Sequence, residues 1–321
     1  MTAQIVAGMA IALGSAHAEE SSAVDTVDAL NALFGKHAGA RASHAKGFCA
    51  KGDFTPSPQA RSISKAGLLA AKSVPATMRF SIGGGNPGAP DKSKSVRGMA
   101  IRLGEGNELY DLVLISEPVF FASTPASFVS FLQARMPDPA SKKPDPAKIE
   151  AHNQHYPEGR LQPSLVAGHA APFSYATTPY FSNHAFRFVA GNGHATWARV
   201  ELRPVAGTRY LTAEEEKSLP DVLLEDEFKS RLGHAPVEFE ILLQPNGAHD
   251  SLTDSAALWN SDKPKLSLGK LTVHQLSGSA CDQEVFVPTN LPHGIEASDD
   301  PILKIRAAAY AVSNGRRSHT N

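Results

Sequence analysis

Cysteine, basic charge and long apolar runs are all scarce in this chain, and each scarcity removes a class of function. Only two cysteines occur, Cys49 and Cys281. They form no CxxC pair, which excludes a thioredoxin-like redox centre and a cysteine-built structural zinc site. They read as two separate thiols, buried or half-buried, with a disulfide between them left open. Lys and Arg number 31 against 32 Asp and Glu, a net charge of −1. Without a basic excess there is no electrostatic footprint for nucleic acid. No apolar run reaches the ~18–20 residues of a membrane span. No Gly-Lys-Ser/Thr follows the glycine-rich stretch 83–93, so it is a loop and not a phosphate cradle. The HExxH pattern of zinc hydrolases is also missing. His152 and His155 fall in a polar, proline- and lysine-rich insertion over 136–165, where they read as surface side chains.

What remains is ample material for a core. Hydrophobic residues make up 42% of the chain and charged residues 20%, the balance of a globular protein and not of a disordered one. At roughly 100–200 residues per domain, the length allows one large domain or two ordinary ones. No repeat or linker divides it, so one is expected, over 19–321. Residues 5–14 are apolar and are followed by Ala16-His17-Ala18, which reads as a cleaved export signal over 1–18. No Lys or Arg precedes Lys36, so the usual basic flank is missing. The expectation is nonetheless a periplasmic or secreted protein.

Residues 21–39 carry Val24, Val27, Leu30, Leu33 and Phe34 near helical spacing and predict an amphipathic helix. The pattern then changes to alternation. In 78–82, Met78, Phe80 and Ile82 point one way and Arg79 and Ser81 the other. Further strands are predicted over 97–103, 109–115, 184–190, 195–203, 236–244 and 268–276. About eight strands with no strand–helix–strand rhythm predict an antiparallel sheet or barrel. A glutamate-rich surface helix is predicted over 212–233. A last helix is predicted over 299–313, capped by Ser298, Asp299 or Asp300, with Pro301 in its first turn and Asn314-Gly315 ending it.

Two constellations carry chemistry. On the last helix Arg306 and Tyr310 are four residues apart and share a face. A guanidinium there stabilises a phenolate, a hard anionic ligand for ferric iron. Alone, the pair is better read as an arginine stacked on a surface tyrosine. The second constellation is His44, within Arg41-Ala-Ser-His44-Ala-Lys-Gly47. A catalytic histidine needs a group to hold its second ring nitrogen, and Ser81 is placed to do so.

Together these segments resemble the monofunctional haem catalases. The matching stretches are 44–47 (HAKG), 64–66 (SKA), 78–81 (MRFS), Arg97-Gly98, 111–113 (DLV), 118–121 (PVFF), 186–189 (FRFV), 294–298 (GIEAS) and 306–310 (RAAAY), in the family's order over about residues 30–318. The likeness is greatest to the small catalase-related peroxidases. It implies an α+β fold, an antiparallel barrel of about eight strands with flanking helices and without the C-terminal helical extension of large catalases. It implies haem b as cofactor, with Tyr310 as the proximal iron ligand and Arg306 as its guanidinium partner. His44 matches the distal catalytic histidine and Ser81 the serine that hydrogen-bonds it. Arg41, Arg79 and Arg317 match arginines that pair with haem propionates. Phe128 matches the aromatic on the porphyrin, and Phe120 lines the same pocket. Cys49, five residues after His44, reads as a packed thiol near the haem crevice.

The activity implied is reduction of hydrogen peroxide or organic hydroperoxides through a ferryl intermediate, at the expense of an unidentified electron donor. One departure separates this chain from true catalases. Where they carry the asparagine that partners the distal histidine, this sequence has Ile115, which cannot donate to peroxide. Ser116 substitutes only if the strand shifts by one residue. Disproportionation is therefore expected to suffer more than peroxidase turnover. The short flanks predict a monomer or homodimer and not an interlocked tetramer. The rival readings are a true catalase, a haem carrier without turnover, and a fatty-acid hydroperoxide isomerase.

Overall fold

The computed structural model describes residues 21–318; the expected export signal over 1–18 lies outside them. The strands are β1 (Gly47–Pro56), β2 (Val74–Ile82), β3 (Arg97–Leu103), β4 (Tyr110–Ile115), β5 (Tyr180–Phe181), β6 (Phe186–Val189), β7 (Ala195–Pro204), β8 (Val237–Pro245), β9 (Leu266–Gly278) and β10 (Ile295–Ala297). Each pairs antiparallel with its neighbours in the order β10-β6-β7-β5-β4-β3-β2-β1-β9-β8. A further pairing of β7 with β8 closes the ring. Eight strands thus form a barrel, and β6 and β10 extend its wall. Closure leaves the barrel without a free edge.

The helices are α1 (Ala23–Phe34), α2 (Ala60–Ile63), α3 (Pro125–Ala134), α4 (Pro146–His155), α5 (Leu161–Ala167), α6 (Ala213–Ser218), α7 (Leu224–Leu232) and α8 (Pro301–Ser318). Their starts are chemically marked. Ser22 and Asp25 form a reciprocal capping box on α1. Thr124 caps α3, with Pro125 in the first turn. Asp300 Oδ1 accepts from the N–H groups of Ile302 and Leu303 at 2.8 and 3.3 Å and so caps α8. α1, α3 and α8 pack on one another outside the barrel wall.

The barrel interior is aromatic and aliphatic. Phe48, Phe80, Tyr175 and Phe228 have ring centroids 4.8–5.6 Å apart. The predicted alternation in β2 holds: Met78, Phe80 and Ile82 are in this core, and Arg79 and Ser81 emerge on the outer face. The register extends that outer face across the sheet. Ser81 pairs with Gly98, and Gly98 with Ile115. One row away, Cys49 pairs with Arg79, Arg79 with Ala100, and Ala100 with Val113.

The structure corrects several expectations. β1 is missing from the sequence reading because two glycines and three polar residues blur its period. Gly52 is required there: a Cβ on it would meet the Thr272 carbonyl oxygen at 2.0 Å, where β1 and β9 approach closely. The single glutamate-rich helix is two, α6 and α7, separated around Pro220, and α7 buries Leu224 and Phe228. α8 runs through Asn314-Gly315 to Ser318. The 136–165 segment contains α4, whose His152 is buried and bonded through Nδ1 to Ser130 Oγ at 2.9 Å. It is not the surface side chain expected.

Cys49 and Cys281 are not separate thiols; they form a disulfide. The register turns Cys49 outward beside Arg79, and the loop after β9 returns Cys281 to the same place. With Phe286 the pair is buried against Ala100 and Val113.

Candidate functional site

A cavity of about 610 Å³ lies between the outer face of β2–β4 and the helices α1, α3, α5 and α8. All nine residues singled out from the sequence line it: Arg41, His44, Arg79, Ser81, Phe120, Phe128, Arg306, Tyr310 and Arg317.

His44 sits on the loop before β1 with φ +56°, the left-handed region, which costs on the order of 1 kcal/mol for a residue with a side chain. The loop is held there. Arg79 Nη1 donates to the His44 carbonyl at 2.8 Å and Nη2 to the Ala45 carbonyl at 3.1 Å. The Ala42 N–H donates to Ser313 Oγ on α8 at 3.3 Å. The His44 ring stands with Nδ1 3.0 Å from Ser81 Oγ, and Ser81 Oγ donates to the Gly98 carbonyl at 3.4 Å. With the hydroxyl hydrogen directed to Gly98, the imidazole proton belongs on Nδ1, donated to Ser81. Burial, and then the charges of Arg79, Arg306 and Arg41, lower the His44 pKa to about 3. The ring is therefore neutral, with Nε2 a bare acceptor.

Tyr310 lies on α8 one turn from Arg306. Arg306 Nε donates to Tyr310 Oη at 2.9 Å, and Nη2 donates to the same oxygen. The third nitrogen, Nη1, donates to His184 Nε2 at 2.9 Å, and His184 Nδ1 donates to Asp300 Oδ2 at 2.7 Å. Burial is the first cause of a lowered His184 pKa, so this ring also stays neutral and can accept from Arg306. Asp300, His184, Arg306 and Tyr310 thus form one hydrogen-bonded chain that runs from two buried residues, Asp300 and His184, to two half-buried ones at the cavity wall. Sequence reasoning missed His184 as one of several scattered histidines. Asp300 was visible only as a helix cap, a role it also performs.

At another edge, Arg41, Arg79 and Arg317 gather around the loop held by the disulfide. Arg41 Nη2 donates to the Asp282 and Glu284 carbonyls at 3.0 and 2.8 Å, and Arg79 Nε pairs with the Asp282 carboxylate at 3.1 Å. Burial, then Arg79 and Arg317, lower the Arg41 pKa to about 9. A cluster of partly buried cations suits an anionic group.

Ile115 lines the cavity in register with Gly98. Ser116 does not replace it: its Oγ accepts the Arg97 N–H at 3.0 Å. Asn183, unremarked in the sequence, brings a carboxamide to the wall, with Nδ2 donating to the Glu117 carbonyl at 3.0 Å. No group of three or more His, Cys, Asp or Glu able to hold a metal ion occurs among the described residues. No helix among them is long and apolar enough to cross a membrane.

A closed antiparallel barrel bearing an outer cavity, with an arginine-paired phenol and a serine-held imidazole on its walls, defines a catalase-fold protein. The family model described as "Catalase" matches residues 22–321, and the chain belongs to that family. It is 34% identical to the "Catalase-related peroxidase" of Synechococcus elongatus, over 98% of this chain and 94% of that protein. It is 35% identical to the "Catalase-related peroxidase" of Mycolicibacterium paratuberculosis, over 89% of this chain and 92% of that one. The "Catalase" of Schizosaccharomyces pombe is 27% identical, and the match spans 58% of its length. Catalase A from Saccharomyces cerevisiae superposes with a TM-score of 0.77 at 22% identity, over 88% of this chain and 62% of that chain, a likeness of fold.

Proposed function

We propose that this protein is a haem-dependent peroxidase acting on hydrogen peroxide or organic hydroperoxides. One observation carries the reading: a neutral imidazole fixed through its far nitrogen, and a phenol receiving two hydrogen bonds from one guanidinium, line the same cavity. The side chains fit a haem b. Tyr310 would supply an oxygen ligand, its Oη receiving two hydrogen bonds from Arg306. Arg41, Arg79 and Arg317 supply positive charge for the two propionates, and Phe120 and Phe128, stacked 6.1 Å apart, supply apolar wall. When bound, the haem supplies the redox chemistry of O–O cleavage.

The chain's own residues handle protons and position. Nε2 of His44 would accept the O–H proton of the peroxide and return it to the oxygen that departs, while Ser81 holds the other ring nitrogen. Arg306 donates twice to the Tyr310 oxygen and is itself oriented by His184 and Asp300. The balance is ROOH + 2 H⁺ + 2 e⁻ → ROH + H₂O, with both electrons from a reduced organic donor such as a phenol. Ile115 offers no hydrogen bond with which to orient a second peroxide as reductant. That favours peroxidase over catalase turnover. Export is part of the same proposal: a Cys49–Cys281 disulfide suits an oxidising compartment.

The test is to give the purified haem-loaded protein hydrogen peroxide with and without guaiacol, following guaiacol oxidation and oxygen release. Donor oxidation outpacing oxygen release is expected. Rapid oxygen release without a donor would show a true catalase. A protein that does not take up haem at all would overturn the reading.

A further inference from the structure

The cavity carries more positive charge than the haem reading uses. Its ionisable lining consists of His44, Lys94, Tyr310 and five arginines; among the described residues no Asp or Glu lines it. Arg306 is engaged by Tyr310 and His184, and Arg41, Arg79 and Arg317 form the cluster on the disulfide-held loop. Arg135 stands apart. It is the residue that closes the C-terminus of α3, and its Nη1 donates to the Phe131 carbonyl at 3.1 Å. That bond and the helix dipole account for one of its nitrogens. No carboxylate pairs with it among the described residues. It is half-buried, and burial alone pushes its pKa down. A cation partly stripped of water and lacking a counterion is stabilised when an anion arrives.

Its surroundings say what kind of anion. The guanidinium lies 3.4 Å from the centroid of the Phe131 ring. Phe131 is 4.3 Å from Phe121, Phe121 is 5.0 Å from Phe128, and Phe120 stands 4.3 Å from Phe121. All four rings line the cavity that contains His44. The wall is therefore graded, a cation at one end and a continuous aromatic strip beyond it. The complementary molecule has an anionic head and an apolar body.

We propose that Arg135 is a specificity-determining anchor that binds the carboxylate of an amphipathic organic hydroperoxide, whose hydrocarbon lies along Phe131, Phe121 and Phe128. This rests on the peroxidase reading above and adds the substrate class. It also assigns the anchoring charge to a residue outside the arginine cluster. A charge-assisted hydrogen bond at a half-exposed site corresponds to about tenfold in affinity.

The experiment compares a fatty-acid hydroperoxide with its methyl ester, guaiacol as donor, in the haem-loaded wild type, Arg135→Gln and Arg135→Lys. The wild type should favour the acid by about tenfold in kcat/KM, through KM. The preference should collapse towards unity in the Gln variant and persist in part in the Lys variant. In a second arm, calorimetry measures decanoate binding to the same proteins, and Kd should rise about tenfold on Arg135→Gln. An equal preference, or an equal Kd, in wild type and Gln variant overturns the anchor. If no peroxide is turned over, the peroxidase reading fails, and the decanoate arm alone decides Arg135. If the Gln variant does not fold, absence of an acid-over-ester preference in the wild type overturns the proposal.

Discussion

Gly98 makes room for the His44 imidazole. A Cβ built on Gly98 would stand 2.5 Å from His44 Nδ1 and 2.7 Å from Ser81 Oγ. Real Cβ atoms do not come so close, so Gly98→Ala must displace the ring, the hydroxyl or both. The expected result is a loss of peroxide turnover on the order of 10²-fold, within the range for removing an acid–base group. Haem content should be retained, because the Tyr310 side is untouched. The check is kcat per haem against the pyridine haemochrome stoichiometry. Turnover within twofold of wild type would show that His44 is not held by this row.

Tyr310→Phe removes the oxygen to which Arg306 donates twice. The phenolate-to-iron absorption band of the haem-loaded protein should vanish. A band that persists unchanged would exclude Tyr310 as ligand. Arg306→Leu should act differently. It leaves His184 Nε2 buried without its donor, a cost of about 1–3 kcal/mol, readable as a lower denaturation midpoint.

The pH dependence follows from His44. Its pKa in the folded protein is about 3, against about 6.5 for an unperturbed histidine. Turnover should show no inflection near pH 6.5, because the ring is neutral well below it. Stability behaves otherwise. Below pH 6.5 the unfolded chain binds a proton that the folded protein refuses. The stability present above pH 6.5 is therefore lost as pH falls towards 3, on the order of 2 kcal/mol by pH 5 for this one group. His184 is lowered as well and adds in the same direction. Denaturant titrations at pH 7 and 5 measure the loss, and His44→Ala should diminish it. An identical pH slope in that variant would show that His44 does not titrate abnormally.

The Cys49–Cys281 disulfide ties β1 to the loop whose Asp282 and Glu284 hold Arg41 and Arg79. Its removal by Cys281→Ser with Cys49→Ser should cost about 2–4 kcal/mol of stability. It should also speed haem transfer to apo-myoglobin, since the arginine cluster loses its support. Thermal unfolding and transfer rates check both effects. Unchanged transfer would show that the loop keeps its place without the bond.

Much of this protein is local chemistry and could be read from the chain. Met78, Phe80 and Ile82 alternate with Arg79 and Ser81, and a strand can place those sets only on opposite faces. Arg306 and Tyr310 share a face because a helix turns once in 3.6 residues. Pro301 and the acidic residues before it mark where that helix begins. What the chain could not state is which distant segments meet. β1 was hidden because the closeness of its backbone to β9, and not its own side chains, selects Gly52. Nothing near Cys49 names Cys281 as its partner, 232 residues away. His184 looks like any other histidine until β-sheet closure sets it between Asp300 and Arg306. Arg135 becomes a cation with no carboxylate partner among the described residues only when α3 packs it against the cavity wall. Periodicity and capping act over a few residues and leave their trace in order; pairing, burial and like-charge crowding act through space, and only the folded barrel decides them.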